Sequence, residues 1–75
     1  MHWSEEDGRK LANLIYEKLL EKGTLKMYEV FDIYDSSGLD IFRMTESACW
    51  KILNPKIERI KDENNRMAFK LKEEY

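Results

Sequence analysis

The sequence predicts an α+β domain in which three helices precede a two-stranded hairpin. The hairpin is indicated by Arg66-Met-Ala-Phe-Lys-Leu-Lys, where every second side chain is apolar and those between are small or charged. Asn64-Asn65 comes just before this stretch and suits a tight turn, because Asn tolerates positive φ. Three earlier stretches repeat apolar residues at the spacing of an amphipathic helix. We therefore expect one domain covering residues 1–75.

Length and composition limit the chain to one small core. A chain of 75 residues buries only roughly 60–65% of its unfolded surface, so most of its large apolar residues are needed inside. No apolar run approaches the ~20 residues that span a bilayer. The opening Met1-His-Trp-Ser-Glu-Glu-Asp is acidic and polar, unlike a signal peptide. We expect a cytoplasmic protein.

The first helix is predicted over about residues 5–22. Ser4 is a suitable N-cap residue, and the acids that follow it favour the positive end of the helix dipole. Gly23 suits the position just after the helix. The apolar stripe of this helix consists of Leu11, Leu14, Ile15 and Leu19, widened by Ala12, Tyr16 and Leu20.

The second helix is predicted over about residues 26–35 and the third over about residues 40–53. A dense turn signal, Asp35-Ser-Ser-Gly38, separates them. Asp40 is expected to cap the third helix, and Asn54-Pro55 ends it because proline lacks the N–H that a helix needs. The inner face of the second helix is predicted to hold Met27, Val30, Phe31 and Tyr34. The inner face of the third is predicted to hold Phe42, Cys49, Ile52 and Leu53, with Ala48 beside them.

The hairpin strands are predicted over about residues 56–61 and 66–72. The whole chain carries a net charge of −2, which argues mildly against a nucleic-acid partner. Residues 56–72, however, carry six basic and three acidic side chains, a local charge of +3. If the protein binds phosphate, the hairpin is the part of the chain best supplied for it.

This order and these lengths resemble the winged helix-turn-helix superfamily across residues 4–72, in particular the small stand-alone winged-helix proteins of archaea and their viruses. The stretch most similar to the family is Trp50-Lys-Ile-Leu-Asn-Pro-Lys-Ile-Glu-Arg-Ile, where a recognition helix ends in Leu, turns and enters the wing. Asn54-Pro55 replaces the usual Gly of that turn. The resemblance implies a short first strand at about residues 24–25, paired with the edge of the hairpin.

The resemblance also implies a sequence-specific double-stranded DNA-binding protein, a small transcriptional regulator. Its third helix would lie in the major groove, with Arg43, Glu46, Ser47, Trp50 and Lys51 pointing outward. Arg43 would read a guanine edge, Lys51 a guanine or a phosphate, and Ser47 either kind of group. The alternative is a winged-helix module that binds proteins and not DNA, which the net acidity and the two basic residues of this helix favour.

The wing and the start of the second helix supply the remaining expected contacts. Around the wing tip these are Lys61, Asn64, Asn65 and Arg66, placed to meet the adjacent backbone or minor groove. At the start of the second helix they are Lys26 and Tyr28, aided by backbone N–H groups. The neighbouring Asp62 and Glu63 would be repelled by phosphate.

Catalytic and metal-binding patterns are missing from the sequence. His2 is the only histidine and Cys49 the only cysteine, so one chain cannot assemble a zinc site. Neither residue has partners for nucleophilic catalysis, and the three glycines form no phosphate-binding loop. We expect neither an enzyme nor a cofactor.

Three features have two interpretations each. Cys49 is either a buried core thiol or an intermolecular disulfide across a two-fold axis. Trp50 either closes the core over the hairpin or is an exposed anchor for a protein partner. A homodimer is expected because two half-sites multiply affinity. Its patch would be Leu11, Tyr16 and Leu20 on the first helix, unless the chain needs that surface for its own core.

Overall fold

The protein is a small α+β domain with three helices and a three-stranded antiparallel sheet, seen in a computed structural model that describes residues 3–72. A 3-10 turn at Asn54–Lys56 joins the last helix to the hairpin. The elements are α1 (Trp3–Lys22), β1 (Thr24–Lys26), α2 (Met27–Ser36), α3 (Arg43–Leu53), β2 (Ile57–Lys61) and β3 (Met67–Leu71).

Two predicted helix starts are wrong. α1 begins at Trp3, so Ser4 lies in its first turn and not before it; the side chains of Trp3 and Ser4 lie outside the described part of the chain. α3 begins at Arg43, and its N-cap position is held by Phe42 in an extended conformation. Asp40 therefore does not cap the helix. Its backbone carbonyl instead accepts a hydrogen bond of 3.2 Å from the hydroxyl of Thr45, which fixes the loop against the buried side of α3.

The sheet has the strand order β1-β3-β2, so β3 lies in the middle. Leu25 of β1 pairs with Phe69, and Phe69 pairs on its other side with Arg59 of β2. The predicted pairing of a short first strand with the hairpin is confirmed. The strand extends to Lys26, which the sequence predicts to lie in the second helix but which is the N-cap residue of α2.

One core joins the helices to one face of the sheet. It is formed by Leu11, Ala12, Ile15, Leu19, Leu25, Val30, Ile33, Cys49, Leu53, Ile57 and Phe69. Leu14, Phe31, Phe42 and Ile52 were predicted to lie inside and are exposed; Leu20 and Met67 are exposed as well. Phe42 is exposed because it precedes α3 and does not lie on its inner face. Met67 is exposed because it lies at the end of the hairpin, beyond the core.

The packing of α1 on α3 depends on small residues. A Cβ atom on Gly8 would lie 2.5 Å from the Cβ of Ala48 and 3.1 Å from the backbone of Thr45 and Cys49. Thr45 and Cys49 are fully buried at this contact. The inner face of α3 is Thr45, Cys49 and Leu53, and Ile52, at 37% exposure, lies outside it. No helix within residues 3–72 is long and apolar enough to cross a membrane.

Candidate nucleic-acid interface

The outer face of α3 carries a row of polar side chains. Arg43, Ser47 and Lys51 are four residues apart, so they lie along one side of the helix, and all three are exposed. The buried residues Thr45 and Cys49 lie on the opposite side. The structure thus brings together the three α3 residues predicted to contact DNA.

Trp50 does not belong to this row. Its indole N–H donates a hydrogen bond of 2.9 Å to the hydroxyl of Tyr34 on α2, and its ring lies 5.0 Å from the ring of Phe69, measured between centroids. Burial raises the pKa of Tyr34 to about 12, so its hydroxyl is neutral at physiological pH. Trp50 links α2, α3 and the sheet, in agreement with the interpretation that it closes the core.

The tip of the hairpin is organised by Asp62. Its carboxylate accepts hydrogen bonds from the backbone N–H of Asn64 at 2.8 Å and of Arg66 at 3.0 Å. These bonds, that from Arg66 first, hold the pKa of Asp62 below its usual value. Asn65 has a φ of 62°, as expected for Asn in a tight turn. The sequence indicated only that Asp62 would repel phosphate, whereas the structure shows that it shapes the turn.

The hairpin tip packs beside the start of α2. The Lys26 ammonium lies 2.6 Å from the Glu63 carboxylate, and this contact raises the pKa of Lys26 and lowers that of Glu63. A depression of about 130 Å³ is formed there by Lys26, Met27, Tyr28, Asp62, Asn64, Arg66 and Met67. Four predicted contact residues, Lys26, Tyr28, Asn64 and Arg66, therefore meet at one place. Lys61 and Asn65 are exposed nearby but do not line the depression.

Glu29 holds the start of α2 in position. Its carboxylate accepts a hydrogen bond of 2.9 Å from the backbone N–H of Lys26 and also pairs with the ammonium of Lys22. The hydrogen bond from Lys22, followed by that from Lys26, lowers the pKa of Glu29. Glu29 and Lys22 thus fix the start of α2, the segment that carries Lys26 and Tyr28.

Arg59 is a candidate residue that the sequence reasoning missed. Its guanidinium donates a hydrogen bond of 3.1 Å to the side-chain oxygen of Asn54 and lies 5.8 Å from the ring centroid of Phe69. The alternation of β2 offered a signal, because Ile57, Arg59 and Lys61 share one face of the strand. Because Ile57 is a core residue, Arg59 lies on the face of β2 that the helices cover, and its charge is therefore close to them.

A second open space lies between α1 and α3. It measures about 500 Å³ and is lined by Glu5, Arg9, Met44, Ser47, Ala48, Lys51 and Ile52. Met44 is 71% exposed and adds apolar surface to this cleft. Ser47 and Lys51 thus border both the outer row of α3 and this cleft.

Within residues 3–72, no group of three His, Cys, Asp or Glu residues is placed to hold a metal ion. The α3 row, the hairpin tip and the start of α2 supply hydrogen-bond donors and cations. With the depression and the cleft described above, these groups can bind a partner. No family model matches the chain, and neither a curated protein nor a solved structure shows significant similarity to it.

Proposed function

We propose that the protein is a winged-helix, sequence-specific double-stranded DNA-binding protein that acts as a small transcriptional regulator. The observation that carries the proposal is the exposed row of Arg43, Ser47 and Lys51 along α3. An α-helix fits the DNA major groove, and these side chains suit base edges and phosphates. The β2–β3 hairpin then serves as the wing.

The junction of the wing with the start of α2 supports the same proposal. Lys26, Tyr28, Asn64 and Arg66 surround one depression, so a single stretch of DNA backbone or the adjacent minor groove can meet all four. The supply of positive charge is modest, because Lys26 is already paired with Glu63. Contacts here fix the orientation of the protein, whereas α3 reads the bases.

A protein-interaction module is the second candidate function. The cleft between α1 and α3 favours it, since Met44 and Ile52 expose apolar surface there. The net charge of −2 points the same way. A protein partner would cover Met44, whereas DNA would engage Arg43 and Lys51.

A salt titration with duplex DNA of mixed sequence separates the two functions. We expect the affinity to fall steeply between ~50 and ~200 mM salt, with a log–log slope of about −0.9 for each neutralised phosphate. Lys51→Gln should make the slope shallower, whereas Lys10→Gln, on the exposed side of α1, serves as the matched control. Absence of binding to any duplex at ~50 mM salt would exclude the DNA-binding proposal.

A further inference from the structure

We propose that Arg59 binds a backbone phosphate of duplex DNA at the junction between the C-terminal end of α3 and the wing. This inference rests on the proposed function and adds a contact to it. Arg59 lies in β2, and its hydrogen-bond partner Asn54 follows α3 directly. The guanidinium therefore adjoins the last turn of the helix that carries Arg43, Ser47 and Lys51.

Arg59 is held in place by uncharged groups. The side-chain oxygen of Asn54 accepts a hydrogen bond of 3.1 Å from one N–H of Arg59. The guanidinium carbon lies 5.8 Å from the centroid of the Phe69 ring, within the range of a cation–π contact. One hydrogen bond uses one of the five N–H donors of arginine. Within residues 3–72, no side-chain carboxylate forms an ion pair with the guanidinium, and two of the remaining donors match the oxygens of a phosphate.

Ion pairing distinguishes Arg59 from the basic residues at the start of α2. Within residues 3–72, the ion pairs involve Lys18, Lys22 and Lys26, and none involves Arg59. A phosphate that binds Lys26 must compete with Glu63, whereas no carboxylate within residues 3–72 forms an ion pair with Arg59. Because Asn54 and Phe69 already orient the guanidinium, little side-chain freedom is lost on binding.

Trp50 provides a reporter for this site. Its ring packs on Phe69 at a centroid distance of 5.0 Å, and Arg59 lies over the same Phe69 ring. The chain has two tryptophans, so Trp3→Phe leaves Trp50 as the only one. Its fluorescence then responds to changes around Phe69 and Arg59.

The experiment compares wild type, Arg59→Gln, Arg59→Lys and Lys70→Gln in binding a short duplex of mixed sequence over a series of salt concentrations. Lys70 is the matched control, because it neighbours Phe69 in β3 and thus lies on the opposite face of the sheet. Arg59→Gln should weaken binding about tenfold and make the slope shallower by about 0.9. Arg59→Lys should keep the slope and lose part of the affinity, since it keeps the charge without the fork.

The outcomes separate this inference from the proposed function. If wild type binds and Arg59→Gln behaves like Lys70→Gln, the inference is wrong and the proposed function stands. If wild type does not bind, both are wrong. Urea unfolding verifies that Arg59→Gln is folded. If Arg59→Gln does not fold, the test is Arg59→Lys, and an unchanged DNA affinity of this variant would contradict a bidentate contact. In the Trp3→Phe background, saturating DNA should change Trp50 fluorescence, and Arg59→Gln should abolish most of that change.

Discussion

Gly8 determines how closely α1 and α3 approach. Gly8→Ala would raise helix propensity by up to about 1 kcal/mol, but the new Cβ would lie 2.5 Å from Ala48 and 3.1 Å from two backbone atoms. Because none of these atoms belongs to a flexible side chain, overpacking outweighs propensity. We expect a net loss of about 1–3 kcal/mol in the free energy of unfolding, measured by urea denaturation.

The control for this substitution is Ala48→Gly, made alone and together with Gly8→Ala. It removes the nearer contact and leaves the two backbone contacts. The double variant should therefore lose less stability than the two single losses added together. Strict additivity would contradict a direct contact between positions 8 and 48.

Cys49 should be unreactive in the folded protein. Its side chain is fully buried, and burial raises the pKa of the thiol to about 12, so thiolate is scarce at neutral pH. Iodoacetamide should modify it only after urea unfolds the chain. Rapid modification of the native protein would contradict the structure. Burial also excludes Cys49 from an intermolecular disulfide unless the core opens.

The same thiol gives a pH dependence of stability. The core favours the neutral thiol over the thiolate. The contribution of Cys49 to the free energy of unfolding is therefore complete at pH values below the pKa of the thiol in the unfolded chain. It is lost as the pH rises toward the folded value of about 12. Cys49→Ala should reduce this loss of stability at alkaline pH. Urea denaturation at a series of pH values measures it.

At the level of elements, the sequence was sufficient for the helices, the hairpin and their order, because apolar periodicity and turn residues are local signals. It was less informative about which side of α3 is buried. That choice depends on the contact with Gly8 in α1, which is distant in the sequence, and so Thr45 was missed and Ile52 misplaced. Arg59 was missed for a similar reason, since its position depends on Asn54 and Phe69 from other elements.

If the proposed DNA binding is correct, substitutions in the α3 row and in the β2–β3 hairpin should affect it differently. Arg43→Ala should relax base preference at one position of the site and cost on the order of 1–3 kcal/mol. Arg66→Ala should weaken binding to all sequences and make the salt slope shallower by about one. Binding to a randomised duplex pool, sequenced after selection, measures both effects. Unchanged affinity of Arg66→Ala for random DNA would show that phosphate is not held at the wing tip.

At the scale of the whole molecule, the predicted homodimer patch is smaller than expected. Leu11 is fully buried in its own core, and the ammonium of Lys56 lies 5.3 Å from the ring centroid of Tyr16. Leu20, 62% exposed, is the remaining apolar residue of the proposed patch. The homodimer stays a prediction, and Leu20 is the residue on which it depends.

Analytical ultracentrifugation tests it. We expect wild type at micromolar concentration to sediment at twice the chain mass of 9.1 kDa, and Leu20→Glu to sediment as a monomer. Asn13→Glu adds the same charge elsewhere on α1 and should leave the dimer intact. Reductant should have no effect, because Cys49 is buried. A wild-type monomer at every concentration would exclude the dimer.

The strand order β1-β3-β2 has a consequence for the protein as it is synthesised. Among the strands of residues 3–72, β3 is the last to be synthesised and the one hydrogen-bonded to both others. A nascent chain that has left the ribosome as far as Lys61 carries Leu25 and Ile57 without their cross-strand partners, Phe69 and Leu71. Its sheet cannot form until β3 emerges, and until then these apolar side chains are open to other nascent chains and to chaperones.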